Sequence, residues 1–127
     1  MTHDDKLRSI DWVSQMYSQQ ANDVEAIDQR LADYYTDMLT YPERHNVYEI
    51  LCALKFLRLL KTYDFNHKKV RQVIRLREGE WEQTKDGRWL HKRGGIACPG
   101  TTGQTVYRWE PFQVFVLASV FGFHTWI

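Results

Sequence analysis

Cysteine is scarce in this chain, with Cys52 and Cys98 alone, so no disulfide framework organises it. The opening Met1-Thr2-His3-Asp4-Asp5 is acidic and has no apolar run behind it, so no signal peptide is expected. The longest apolar run, Phe112 to Phe123, falls short of the ~20 residues that a membrane-crossing helix needs. A soluble, intracellular protein with no membrane role is therefore expected. Chemistry-bearing motifs are also missing. No G-x-x-x-x-G-K-[ST] occurs. Gly95-Ile96-Ala97-Cys98-Pro99-Gly100-Thr101-Thr102 has the glycine spacing of a phosphate loop, but Thr101 stands where the lysine must be, and Pro99 removes an N–H from the anion cradle. It reads as a loop. No apolar strand ends in paired acids to hold magnesium, so the residues for ATP hydrolysis or DNA cleavage are absent. His91, Cys98 and His124 lack the closed ligand set that zinc takes, so no metal is expected. Ser119 lies in an apolar helix without a nucleophile-elbow context, so no catalytic residue is assigned.

What is present is a chain of 127 residues, 43% apolar and 14% aromatic, sufficient to bury a core. Charge is unevenly spread. Residues 1–50 hold ten acids against four bases, and residues 51–127 hold thirteen bases against six acids. Either the halves attract each other, or the basic half meets an anion such as nucleic acid; plain solvation of a face is the simpler reading.

The periodicity predicts a mainly α fold (α+β minor): an N-terminal helical bundle, a short β-hairpin-like element and a buried C-terminal helix. Asp4 or Asp5 can cap a first helix carrying Leu7, Ile10, Val13 and Tyr17. Asn22 is read as the cap of a second, with Val24, Ile27, Leu31, Tyr34, Tyr35 and Met38 inward. Thr40-Tyr41-Pro42-Glu43 reads as the start of a third, with Ile50, Leu51, Leu54 and Leu57 as its spine and Cys52 as a small buried hydrophobe. Asn66 caps a fourth. There Val70, Val73 and Ile74 face inward while Lys68, Lys69, Arg71, Arg75 and Arg77 point away. Such a helix can track a phosphate backbone, or can simply be solvated. Asp86-Gly87 between Trp81 and Trp89 reads as a hairpin turn, and 105–109 as a further strand.

Glu110-Pro111 then opens a last helix, proline being favoured in the first helical turn. Phe112, Phe115, Val116 and Val120 form one stripe, and Val114, Leu117 and Phe121 the opposite one. A helix apolar all round is expected to be buried all round. Gln113, taken by spacing alone, is a polar residue in the first turn.

Trp109-Glu110-Pro111-Phe112-Gln113, an apolar helix and Phe121-Gly122-Phe123 together resemble the N-terminal part of the large subunit of tailed-phage terminases. In that family Leu-Glu-Pro-Trp-Gln, an apolar helix and Phe-Gly-Trp or Phe-Gly-Phe precede the ATPase phosphate loop. Trp109 departs from the usual leucine and Phe112 from the usual tryptophan; both stay large and apolar. The likeness continues more weakly upstream over roughly residues 41–123, so 1–40 read as a helical extension and 41–127 as the terminase-like segment, ending before the ATPase core. The resemblance implies that Gln113 reads the adenine of ATP, an amide being able to donate and accept at once. Glu110, Pro111 and Phe112 complete that adenine-side segment, with Phe112 or Trp109 as a stacking face. It implies ATP as cofactor in a complete protein but none for the isolated chain. It also implies phage DNA, the terminase small subunit or the portal as partners, and the cytoplasm of a bacterial host as the setting. Self-association through the apolar last helix is a further expectation. The other class of reading is a free-standing helical module that binds nucleic acid or protein, with Lys68, Lys69, Arg71 and Arg75 as its face.

Overall fold

Helix α1 runs from His3 to Ile27 without a break at Asn22. The computed structural model describes residues 3–78, 81–83, 85, 89–91 and 109–123. Asp4 and Asp5 sit in the first turn of α1, where carboxylates complement the helix dipole. The expected cap at Asn22 is overridden by tertiary contacts on either side of it. Gln20 is buried and its Nε2 donates to the Leu57 carbonyl at 2.9 Å, while Val24 is fully buried. Those contacts outweigh the small intrinsic penalty of one asparagine in a helix, ~0.7 kcal/mol at most. The break comes at Asp28, whose backbone is extended and whose Oδ1 accepts from the Arg30 backbone N–H at 2.8 Å. Helix α2 follows, Gln29–Thr40, and buries Leu31, Ala32, Tyr34, Tyr35 and Met38.

Pro42 does not open the third helix. It begins a single 3-10 turn, Pro42–Arg44, and the helix waits for Asn46, whose Oδ1 accepts from the Glu49 N–H at 2.8 Å. Helix α3 is Val47–Thr62 and buries Ile50, Ala53, Leu54, Phe56 and Leu57. Lys55, Arg58 and Lys61 are exposed, as the periodicity predicts. Cys52 is exposed as well, contrary to its reading as a buried hydrophobe. The inward stripe of α3 passes through positions 50, 53, 54 and 57, and residue 52 lies off it. Asn66 caps helix α4 (His67–Glu78) as expected, its Oδ1 accepting from the Lys69 N–H at 2.9 Å.

Strands β1 (Trp81–Gln83) and β2 (Trp89–His91) pair antiparallel, Glu82 opposite Leu90, while the Asp86-Gly87 turn read between them lies outside the described residues. Of the strand expected at 105–109 only Trp109 is described, and it is in irregular backbone. The glycine-rich loop 95–102, Cys98 and His124 lie outside the described residues.

The last helix, α5 (Pro111–Phe121), docks on α2 and α4, while α1 packs on α2 and α3. Its buried side is Val114, Phe115 and Ala118. Phe115 enters an aromatic cluster, stacked on Tyr34 at 4.8 Å between centroids, edge-on to Tyr35 at 6.2 Å and tilted against Phe56 at 5.6 Å. Burial on both sides is not what α5 has. Phe112, Val116 and Val120 are 55, 40 and 53% exposed, an i, i+4, i+8 stripe facing away from the bundle. The two stripes read from the sequence are therefore redrawn: Phe115 turns inward and Phe121 outward, because among the described residues α2 and α4 wall one side of α5.

Phe121-Gly122-Phe123 has a packing explanation. Gly122 has ordinary right-handed backbone, φ −79° and ψ −25°. An added Cβ there would lie 2.0 Å from Phe65 Cε2 and 2.5 Å from the Ala118 carbonyl oxygen. The close approach lets the Asn66 N–H donate to the Gly122 carbonyl at 2.8 Å and lets Phe65 pair with Phe123 as an isolated antiparallel bridge. The rings of Phe65 and Phe123 meet edge-on at 5.2 Å, and Phe123 meets Phe56 at 5.5 Å. The end of α5 is thus fastened to the α3–α4 connection.

Candidate functional site

The segment Trp109–Gln113 is one turn of backbone held at its start by charge. Glu110 is extended at φ −72° and ψ 156°, Pro111 takes the first helical position, and the Glu110 N–H donates to Gln113 Oε1 at 2.8 Å. This is the glutamine arm of a capping box, which satisfies a backbone donor that a helix N-terminus otherwise leaves open. Gln113 is half-buried and Pro111 likewise, while Glu110 and Phe112 are exposed. Phe112 keeps one edge against Tyr34, ring centroids 6.3 Å apart, and presents the rest of its face to solvent. The fold thus gathers the four adenine-side candidates in a single turn. It also gives the oxygen of Gln113 a local task that the spacing alone allowed for.

Trp109 is fixed from three directions. Its backbone N–H donates to Glu78 Oε1 at 2.7 Å, its carbonyl accepts from Arg30 Nη1 at 3.3 Å, and its indole Nε1–H donates to the Ile74 carbonyl at 3.0 Å. Arg30 in turn grips Asp28 through Nε and Nη2, each at 2.9 Å, and Glu78 through Nη1. Burial by itself would lower the affinity of the Arg30 guanidinium for its proton, but the hydrogen bonds and charges of Asp28 and Glu78 raise it above its ordinary value. Arg30, Glu78 and this use of Trp109 were not read from the sequence. Arg30 and Glu78 are 48 residues apart and Arg30 and Trp109 are 79 apart, and no local pattern spans such distances.

A second polar cluster lies under α2. His45, nearly buried, meets Asp37 through Nε2 at 2.8 Å and Glu49 through Nδ1, and the Tyr34 hydroxyl donates to the same Glu49 carboxylate. Arg44 reaches the other oxygen of Asp37 at 3.1 Å. The hydrogen bond from His45, opposed by partial burial and helped by the charge of Arg44, holds the Asp37 carboxyl below the usual carboxylate range. Burial, then the hydrogen bond to Glu49 and its charge, push the Tyr34 phenol up. The two carboxylates sit at opposite ring nitrogens of His45 and do not converge on one point. Among the described residues no group of three or more His, Cys, Asp or Glu side chains could hold a metal ion. The i, i+4 spacing of His45 and Glu49 was the one legible hint of this cluster.

Of the nucleic-acid candidates, Lys68, Lys69, Arg71 and Arg75 are all exposed along α4, opposite the buried Val70 and Ile74. No described helix is long and apolar enough to cross a membrane. Comparison of the chain with protein-family models, curated proteins and solved structures finds no match.

Proposed function

We propose that this chain is the N-terminal segment of a tailed-phage terminase large subunit. In that reading it contributes the adenine-side segment of an ATP-driven DNA-packaging motor and does not turn over ATP alone. The observation that carries the proposal is the two-faced α5. Its first turn bears Glu110, Pro111, Phe112 and Gln113 in one capped unit, its inner side is locked onto the bundle, and its outer side is the exposed apolar stripe Phe112, Val116, Val120. A contiguous apolar stripe facing water marks a surface that another body covers. In the family this segment precedes the ATPase phosphate loop, and the ATPase core is the body proposed to cover the stripe. Gln113 then recognises adenine through its amide, with Phe112 as the stacking face. Contacts to phage DNA, to the small subunit or portal, and a bacterial cytoplasmic setting belong to the same proposal.

The direct biochemical test is hydrolysis. The isolated chain, with no lysine-bearing phosphate loop in its sequence, should release no phosphate from ATP above a buffer blank. Turnover that follows the protein through purification would contradict the assignment of roles.

One observation favours the second reading, a nucleic-acid-binding module: Lys68, Lys69 and Arg71 are exposed on a helix anchored by Val70 and Ile74. Binding through that face should weaken steeply with salt, because released counterions drive it. Charge reversal of Lys68, Lys69, Arg71 and Arg75 without loss of DNA affinity would exclude it.

A further inference from the structure

We infer that Arg30 and Glu78 are a positioning pair for the Glu110–Gln113 segment, acting through the backbone of Trp109. The nucleotide role of that segment rests on the terminase reading; the pair itself does not.

The ion pair brackets a single residue. The carboxylate of Glu78 takes the N–H of Trp109 at 2.7 Å, and the guanidinium of Arg30 gives to the carbonyl of the same residue at 3.3 Å. Opposite charges therefore hold the two ends of one backbone unit, each in the sense that its dipole prefers. The indole bond to Ile74 fixes the third direction, at 3.0 Å. The next residue, Glu110, begins the cap, and the first hydrogen bond of α5 runs from the Val114 N–H to the Glu110 carbonyl at 3.0 Å. With Trp109 set, the azimuth of this first turn is set, and with it the directions of Phe112 and Gln113. The pair also ties three elements to that turn: Arg30 from the start of α2, Glu78 from the end of α4, and α5 itself. Asp28 holds the guanidinium on its far side at 2.9 Å, so Arg30 reaches Trp109 already oriented. Side chains of Arg30 and Glu78 are only 16 and 13% exposed, so water does little to screen the arrangement. A merely structural ion pair would hold α2 to α4. Here the same Glu78 Oε1 and Arg30 Nη1 that meet each other also hold the N–H and the carbonyl of the residue that launches α5.

Amide hydrogen exchange on the ¹⁵N-labelled 127-residue chain tests the inference. The Trp109 indole signal is identified by its loss in Trp109→Phe. In Glu78→Gln, exchange at the Val114 amide and at the Trp109 indole should rise at least about tenfold, the factor that follows from losing one charge-assisted hydrogen bond. Exchange at Leu54 and Leu57, buried in α3, should stay within about twofold, since α3 lies outside the clamp. Unchanged Val114 exchange overturns the inference. So does a rise of the same factor at Val114, Leu54 and Leu57, which is what general destabilisation gives. Should Glu78→Gln not fold, Arg30→Lys carries the same test, because it keeps the charge and removes the fork. Failure of the terminase reading would show instead in the coding sequence beyond Ile127, which the exchange measurement does not consult.

Discussion

Gly122→Ala poses a sharp question, because backbone preference and packing give opposite answers. Gly122 has right-handed backbone, φ −79° and ψ −25°, where alanine is at ease. On conformational grounds alone the substitution should stabilise by ~0.4–1 kcal/mol through the unfolded state. Packing reverses the sign. The new methyl would meet Phe65 Cε2 at 2.0 Å, Phe65 Cζ at 2.5 Å and the Ala118 carbonyl oxygen at 2.5 Å. The Phe65 ring has little freedom to retreat, with Phe56, His67 and Phe123 around it at centroid distances of 6.0, 5.0 and 5.2 Å. Moving the backbone instead strains the Asn66 to Gly122 hydrogen bond of 2.8 Å, next to the cap of α4. Overpacking of a fixed site costs ~1–3 kcal/mol, so the net expectation is destabilisation by ~1–2 kcal/mol. For a chain of this length that lowers Tm by roughly 4 °C per kcal/mol. Thermal unfolding followed by circular dichroism reads it. Repeating the substitution in a Phe65→Ala background isolates the ring's share: that part of the penalty should vanish, a coupling of about 1 kcal/mol, while the contact with the Ala118 carbonyl remains. A Gly122→Ala protein that melts above the parent, or a penalty that is the same with and without Phe65, would refute the packing argument.

Three shorter predictions follow from particular residues. Val116→Asp, on the outer stripe of α5, should change stability by no more than ~0.5 kcal/mol, whereas Val114→Asp, fully buried, should unfold the chain; similar melting of the two would remove the two-faced description of α5. Asp37 has a folded-state pKa below its unfolded value, so its contribution is present above the ordinary carboxylate value of ~4 and is lost as pH falls through the folded value; Asp37→Asn should flatten the acid limb of Tm against pH, and an unaltered limb would count against the His45 bridge. Cys52 should react with a thiol reagent in the native state as quickly as a small-molecule thiol does to within about tenfold, and full protection until unfolding would contradict its exposure.

Local chemistry was legible and long-range chemistry was not. Asn66 as a cap, Pro111 in a first turn and the wet side of α3 at Lys55, Arg58 and Lys61 all follow from neighbours within a few residues, and all stand in the structure. Asn22 and Thr40 carried equally good local signals and neither starts an α-helix. Gln20, bonded to Leu57 across the bundle, keeps α1 going, and Asp28 and Asn46 make the caps that geometry allows. Cys52 was misplaced because apolar character alone does not say on which side of a helix a residue falls. For the candidate site, the turn Glu110–Gln113 was visible as a pattern, but what steadies it was not. Arg30, Glu78 and Trp109 come from three distant parts of the chain, and only the fold brings them within hydrogen-bonding reach. The one-sided burial of α5 was hidden for a related reason. A helix apolar on every side tells how much surface it would bury, not how many walls the chain supplies.

The most direct measurement for the central claim is the DNA sequence immediately beyond the codon for Ile127. The account predicts an open frame, in phase or after a single-base shift, that continues into a strand, a G-x-x-x-x-G-K-[ST] loop and a later pair of acids, so that Gln113 has a nucleotide to read and the outer stripe of α5 has a body to meet. A stop followed by an unrelated gene would contradict it, and the exposed basic side of α4 would become the place to look for function.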